Sequence, residues 1–252
     1  MKKYALITGA SSGIGYHFAK KLDSLGYNTI IVARREERLK ELADSLNNDT
    51  IIFPFDLKEE ANCKNLLEKV KDYNIEIFIN NAGLGDLNLF NEMDINKAIN
   101  IIDINIKALT ILFHGLLNQF INNNNNGIIV NVSSIAGLLP AGPYMSVYYA
   151  TKSYVTSLTR AVDYEIKNKY NIKVKALCPG PVDTEFNEIA NSKFKLKSIS
   201  PEKCVNYTIK KLKSKRIILT PTLGVRITEL FSRFVPIKFL LYFCSKNQKK
   251  KK

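Results

Sequence analysis

Histidine is scarce in this chain, with only His17 and His114 among 252 residues, which excludes a histidine-built metal centre and leaves metal chemistry unexpected. The four cysteines, Cys63, Cys178, Cys204 and Cys244, are scattered, with no CxxC pair and no histidine close by in sequence. They read as reduced thiols of a cytoplasmic protein rather than as a disulfide framework or a zinc site. No uninterrupted apolar run reaches the length of a bilayer span. Met1, Lys2 and Lys3 lead straight into a strand-like run, without a signal-peptide pattern. Acidic residues are few: 23 Asp and Glu against 37 Lys and Arg give a net charge of +14 and a pI near 9.5. Much of the excess lies late, in residues 193–197, 210–216 and 249–252. Basic charge draws anionic membranes, nucleic acids or anionic cofactors. No aromatic-interleaved nucleic-acid motif accompanies it, so nucleic acid is not an expected partner.

What is present is an alternation of strand and helix patterns, long enough for one large domain with a buried core and showing neither a second domain nor a repeat. Residues 4–8 (YALIT) form an apolar run of strand length, followed by TGASSGIG at 8–15 and a helical pattern through Leu25. A strand, a glycine-rich turn and a helix start make a phosphate site: glycines admit the backbone, and unpaired N–H groups face the anion. Residues 28–33 are a second strand, followed at once by Arg34 and Arg35 and the helical EERLKELADSL. The end of the second strand is where an adenosine ribose is read. A carboxylate there favours the free 2′-hydroxyl of NAD, whereas paired guanidiniums after Ala33 suit the 2′-phosphate of NADP.

Further strands are expected at 50–55, 76–79, 127–132, 172–178 and 216–220, with helices at 58–72, 95–121, about 148–170 and 201–212. The fourth strand runs into NNAG at 80–83, and the sixth into PGPVDT at 179–184. The Asn run at 122–126 is a polar loop without chemistry. Residues 185–200 read as a flap with Phe186, Ile189 and Phe194 as apolar anchors. The alternation implies an α/β fold with a doubly wound parallel sheet, its motifs gathered just past the C-terminal ends of the strands.

The stretch 132–152, VSSIAGLLPAGPYMSVYYATK, carries the proton chemistry. Tyr148 and Lys152 are four residues apart, one turn on the same helix face. A lysine ammonium beside a phenol favours the phenolate and lowers the tyrosine pKa, giving an acid or base for neutral pH. Tyr149 is turned about 100° around the helix from Tyr148, and Tyr144 falls in the preceding loop as a pocket-lining candidate. Ser133 and Ser134 face opposite ways on a strand, so at most one points at the site.

These motifs, in this order over about residues 4–220, resemble the short-chain dehydrogenase/reductase family: TGASSGIG, Asp56, NNAG, Asn105, VNVSS ending at Ser134, YYATK at 148–152 and PGPVDT. The PYMSVYYATK form and the basic C-terminal extension are most similar to a bacterial subgroup of general reductases. The resemblance implies a Rossmann-like seven-stranded sheet in the order 3-2-1-4-5-6-7 with helices on both faces. It implies a tetrad of Asn105, Ser134, Tyr148 and Lys152. Tyr148 would exchange the proton with the substrate oxygen, Ser134 would polarise the carbonyl, and Lys152 would lower the Tyr148 pKa and hold the nicotinamide ribose. Asn105 would support a water leading from Lys152 to solvent. Gly9, Ser11, Ser12, Gly13, Ile14 and Gly15 would hold the pyrophosphate and adenosine ribose, with Arg34 and Arg35 at the 2′-phosphate. Asp56, Leu57, Asn81, Ala82 and Gly83 would flank the adenine side, and Pro179, Gly180, Val182 and Thr184 the carboxamide. The family usually assembles as dimers or tetramers through the helices around Asn105 and Tyr148.

The expectation is an NADP(H)-dependent oxidoreductase acting on a small or lipid-like carbonyl or secondary alcohol, with Leu138, Leu139, Tyr144, Phe186 and Ile189 forming an apolar substrate pocket beside Ser134 and Tyr148. Two alternatives stand beside it: a 3-oxoacyl-thioester reductase whose basic surface meets an acidic carrier, and a non-catalytic NADP-binding or peripheral membrane protein. Residues 221–252 form a basic, amphipathic C-terminal extension. It reads as a helix packed on the core or on a partner subunit with a frayed basic end, and an amphipathic pair of short helices on a membrane surface is the other reading.

Overall fold

Apolar side chains on successive strand residues point to opposite faces, so strands that are apolar throughout demand cover on both sides. The computed structural model describes residues 2–123, 126–186, 190, 198–232 and 234–249. In it the strand runs are β1 (Tyr4–Thr8), β2 (Asn28–Val32), β3 (Thr50–Phe53), β4 (Ile75–Asn80), β5 (Ile128–Val132), β6 (Lys173–Leu177) and β7 (Ile218–Leu219). They form one seven-stranded sheet in the order β3-β2-β1-β4-β5-β6-β7, with every pairing parallel. The helices are α1 (Gly13–Asp23), α2 (Glu36–Asp44), α3 (Glu60–Val70), α4 (Ile95–Ile102), α5 (Leu109–Asn122), α6 (Ser146–Ile166), α7 (Pro201–Lys211), α8 (Leu223–Ser232) and α9 (Ile237–Lys249).

Alternation sorts the core into two layers. Ala5, Ile7, Ile31, Ile79 and Leu177 pack with Phe18 and Leu22 of α1, Leu39 and Leu42 of α2, and Cys204 and Val205 of α7. Their strand neighbours Leu6, Ile30, Phe78, Ile129 and Val174 pack with Leu66 of α3, Leu112, Phe113 and Phe120 of α5, and Ile166 of α6. A buried polar chain ties the second layer to the sheet. Asn80 donates to the Leu109 carbonyl at 3.1 Å and to Asn131 at 3.2 Å, and Asn131 donates to Thr159 at 3.1 Å.

Several boundaries differ from expectation, each for a local reason. β3 stops at Phe53, because Pro54 has no N–H to continue the ladder. The helix expected over 95–121 is broken by a π-helical turn at Asp103–Ala108 that contains Asn105. The whole stretch Ile95–Asn122 is long and apolar enough, by composition, to cross a membrane. It nevertheless packs as a core helix, with Ile101, Ile104, Leu112, Phe113 and Leu116 buried. Ile189 and Phe194, expected as anchors of the flap, and most of residues 185–200 lie outside the described residues. The C-terminal extension forms two helices, α8 and α9, rather than a single packed helix. It meets the core by a narrow face, with Val225 and Gln248 buried, while Leu230, Phe231, Phe234, Phe239, Tyr242 and Phe243 are exposed.

Candidate active site

β1 ends at Thr8, and the chain crosses at once into α1 through the glycine-rich turn. Ser12 caps α1 in extended geometry, and no acidic residue stands in the first turn to compete for its N–H groups. Gly13 has a φ of +56°, and a Cβ there would meet Thr184 Cγ2 at 3.0 Å, so the loop after β6 closes onto the turn only because the side chain is hydrogen. Thr8 fixes the facing loop: its Oγ1 accepts from the backbone N–H groups of Asn81 and Ala82 at 2.9 and 3.0 Å. Asn81 returns the contact by donating Nδ2 to the Thr8 and Gly9 carbonyls.

One cleft of about 530 Å³ runs along the C-terminal ends of the strands. Gly9, Ser11, Ser12, Gly13 and Ile14 line it, together with Arg34, Arg35, Asp56, Leu57, Asn81, Ala82 and Gly83. At its other end stand Ser134, Tyr148, Lys152, Pro179, Gly180, Val182, Thr184 and Phe186. Five expected site residues among those described are not on its wall, and one of them, Leu139, is buried in a small cluster with Leu87, Met145 and Tyr149. Gly15 sits behind the turn, where a Cβ would lie 2.3 Å from the Gly9 carbonyl oxygen; it lets α1 close against the loop. Asn105 is fully buried behind Leu84. Its Oδ1 accepts from Leu84 N–H at 2.8 Å, and its Nδ2 donates to the Leu84 carbonyl and to Thr151 of α6. Its side chain therefore clamps the loop after β4 to α6. Leu138 and Tyr144, expected in the substrate pocket, are also displaced. A 3-10 turn at Ile135–Gly137 turns the chain so that Ile135 and Ala136 face the cleft, with Leu138 closing the turn. Tyr144 has a φ of +70°, and its ring packs against α9 with Lys249 Nζ 5.8 Å from its centroid.

Tyr148 and Lys152 hold the expected positions on α6. The Tyr148 ring packs against Phe186 at 5.4 Å between centroids, and Lys152 Nζ lies 5.8 Å from the Tyr148 ring centroid. Lys152 is buried and donates to the Val132 carbonyl at 2.8 Å. Ser134 lies within hydrogen-bonding reach of the Tyr148 phenol. Ser133 points the other way, bonded to the Lys152 carbonyl and to Thr156, which resolves the serine pair in favour of Ser134.

The electrostatics depart from expectation. Burial pushes Tyr148 up to about 12, against a smaller downward pull from Ser134. Burial likewise pushes Lys152 down to about 8, against a smaller upward pull from Cys178. In the protein itself, desolvation of both groups outweighs the lysine's influence on the phenol. Tyr148 is thereby a proton donor throughout the neutral range.

At the adenosine end, Arg35 donates to Ser11 Oγ at 3.1 Å and to Glu185 at 3.1 Å, and Arg38 also pairs with Glu185. These guanidiniums hold the Glu185 carboxyl below its ordinary value, Arg38 most strongly. Arg34 is exposed at the cleft. Asp56 accepts from Lys58 N–H at 3.1 Å and shapes the turn after β3. The cleft wall also includes Met145, Tyr149, Ala190 and Gln248, which sequence reading did not single out. Tyr149 follows Tyr148 on α6, and Gln248 of α9 donates to its phenol at 3.0 Å. No sequence motif marks Gln248; next to a lysine tail it reads as a solvated residue.

The residues present suit a nicotinamide dinucleotide: a glycine cradle at a helix start, a guanidinium at the adenosine end and, at the other, a half-buried tyrosine paired with a buried lysine. Comparison with known proteins agrees. The family model for short chain dehydrogenases matches residues 3–194. An uncharacterized oxidoreductase of Staphylococcus epidermidis is 32% identical over 189 residues, covering 74% of this chain and 81% of that protein. A 3-oxoacyl-[acyl-carrier-protein] reductase of Rickettsia prowazekii is 35% identical over 191 residues, covering 76% and 77%. Among solved structures, a short-chain dehydrogenase from Sphingobium yanoikuyae in complex with NADPH superimposes with a TM-score of 0.83 at 28% identity, covering 92% and 93% of the two chains. One from Burkholderia phymatum in complex with NAD, at 23% identity and a TM-score of 0.82 over 91% and 92% of the chains, shares the fold. With its motifs gathered in one cleft of the expected sheet, this chain belongs to the short-chain dehydrogenase family of oxidoreductases.

Proposed function

We propose that the protein is an NADPH-dependent reductase of ketones or aldehydes, working in reverse as a secondary-alcohol dehydrogenase. The observation that carries this reading is the half-buried Tyr148 side chain on the cleft wall, beside Ser134 and one turn from Lys152. A nicotinamide coenzyme, when bound, supplies or takes the hydride. Tyr148 gives its proton to the substrate oxygen during reduction and recovers it during oxidation. Ser134 hydrogen-bonds the same oxygen and orients it. Lys152 holds the ribose side, and Asn105, through Leu84 and Thr151, holds the loop and helix between which a proton-carrying water would stand. Ile135, Ala136, Met145, Phe186 and Ala190 form an apolar wall suited to the rest of the substrate.

Arg34 supports a preference for NADPH: it follows Ala33, where an NAD-binding carboxylate would stand, and it faces the cleft while Arg35 and Arg38 hold Glu185. Fluorescence titration is expected to show NADPH binding about tenfold or more tighter than NADH, and Arg34→Ala to remove most of that margin, on the order of a charge-assisted hydrogen bond. Equal binding of the two coenzymes by the unmodified protein would refute the preference. A substrate panel read by NADPH absorbance tests the reaction and should include a 3-oxoacyl thioester, because the Rickettsia relative and the +14 charge favour that alternative.

Two surfaces support partners. Ile95, Ile99 and Ile102 form an exposed apolar stripe along α4, with exposed Phe90 in the turn before it, which supports a homodimer or homotetramer through that helix. The exposed aromatics of α8 and α9, beside Arg226, Lys238 and Lys246, support contact with an anionic bilayer surface. Sedimentation with anionic liposomes is expected to carry the full chain and leave behind a chain ending at residue 220. Light scattering without lipid reads the oligomer, and a monomer that ignores vesicles would remove both assignments.

A further inference from the structure

α9 presents aromatic residues to the outside and buries a glutamine. Gln248 is its buried residue, only 4% exposed. Glutamine is seldom buried unless its amide is satisfied on both sides. Here one side is met: Nε2 donates to the Tyr149 phenol at 3.0 Å. The other is not, since Oε1 has no hydrogen-bond partner among the described residues. This orphaned acceptor belongs to a residue that lines the same cleft as Tyr148, and its partner Tyr149 has its ring centroid 6.4 Å from that of Tyr148. Leaving such a group unpaired in a protein interior is costly, so the site is complete only when something in the cleft bonds to it.

We propose that Gln248 forms a second polar subsite, which binds a hydroxyl group on the substrate away from the reacting carbon. The inference rests on the reductase reading and names its substrate class: hydroxylated ketones and their diol products. A hydroxyl suits the site better than a carbonyl or an ammonium. It both donates and accepts, so it satisfies the amide whichever way the amide is turned. Ile135, Ala136, Met145, Phe186 and Ala190 give the wall an apolar part that a plain ketone can fill while leaving Oε1 unpaired. Tyr149 acts as the positioning residue, holding the amide by its phenol. α9 thereby selects the substrate, and it does so from 99 residues away along the chain.

The test uses chain-matched pairs of ketones with and without a terminal hydroxyl, in the full-length protein. Calorimetry with the corresponding diols and simple alcohols reads binding separately from turnover. The unmodified protein is expected to favour the hydroxylated member by about tenfold to a hundredfold in kcat/KM, because a buried polar site discriminates against a ligand that leaves it unpaired. Gln248→Met, of similar length but apolar, should abolish that preference and raise Tm, whereas a merely structural glutamine would lower Tm when replaced. Gln248→Asn, a shorter amide, should keep only part of the preference. Equal handling of the pair by the unmodified protein, or a preference that survives Gln248→Met, overturns the proposal. Turnover without discrimination would discard the subsite and leave the reductase reading intact. Diol binding that depends on Gln248 without turnover would keep the subsite and discard the reductase reading.

Discussion

Tyr148→Phe is expected to lower kcat by about 10²–10⁴-fold in both directions, the usual contribution of a positioned acid or base. The substitution removes one oxygen and keeps the ring. The packing against Phe186 at 5.4 Å and against Tyr149 at 6.4 Å is retained, so the folded structure should be unchanged and Tm should not fall. Because burial holds the Tyr148 phenol at about 12, it stays protonated across the neutral range. The loss in the reduction direction should therefore be nearly independent of pH between 6 and 8, which a pH series of NADPH-dependent rates reads directly. Full NADPH-dependent turnover by the phenylalanine variant would remove Tyr148 from the mechanism, whereas no turnover by the unmodified protein on any carbonyl would favour the non-catalytic reading.

Lys152→Met should lose activity to a similar degree while gaining stability. Lys152 is buried, and its pKa falls from 10.5 to about 8. At about 1.4 kcal/mol per unit, keeping its ammonium inside the protein at pH 7 costs roughly 3 kcal/mol. Losing its hydrogen bond to Val132 returns about 1 kcal/mol of that, leaving a net gain of about 2 kcal/mol, or a rise in Tm of about 4–8 °C. The sign also has a pH signature. Below about 8 both the folded and the unfolded chain hold the proton, and the cost is complete. Between about 8 and 10.5 the unfolded chain binds a proton that the folded one does not, so the stability of the unmodified protein rises with pH. The methionine variant lacks this slope, and the gap in Tm between the two proteins should narrow from pH 7 to pH 10. A variant less stable than the parent at pH 7 would show that Lys152 is there for the fold and not for the reaction.

Much of this was legible in the chain because its causes are local. Seven apolar runs of strand length, separated by helical patterns, specify a parallel sheet covered on both faces. Arg34, Arg35, Ser134, Tyr148 and Lys152 lie within a few residues of a strand end or a helix start, so their placement follows from the elements that carry them. Pocket shape was less legible. Leu138 and Tyr144 were expected on the substrate wall because they lie in the right loop. A 3-10 turn after Ser134 and a positive φ at Tyr144 aim the loop differently, and neither follows from apolar periodicity. The pKa of Tyr148 is not legible in the sequence for a similar reason. Spacing on a helix predicts that Lys152 is near, but only the packed structure says that both groups are desolvated, and burial outweighs proximity.

By itself, then, the sequence determined the sheet, the phosphate-binding turn and the Tyr–Lys pair, because hydrophobic period, glycine and helical spacing act over a handful of residues. Only the tertiary structure decided which distant residues complete the cleft. Arg35 and Glu185 meet across 150 positions and Gln248 and Tyr149 across 99. Contacts of that span are set by how whole helices pack on the sheet, and no local pattern encodes them.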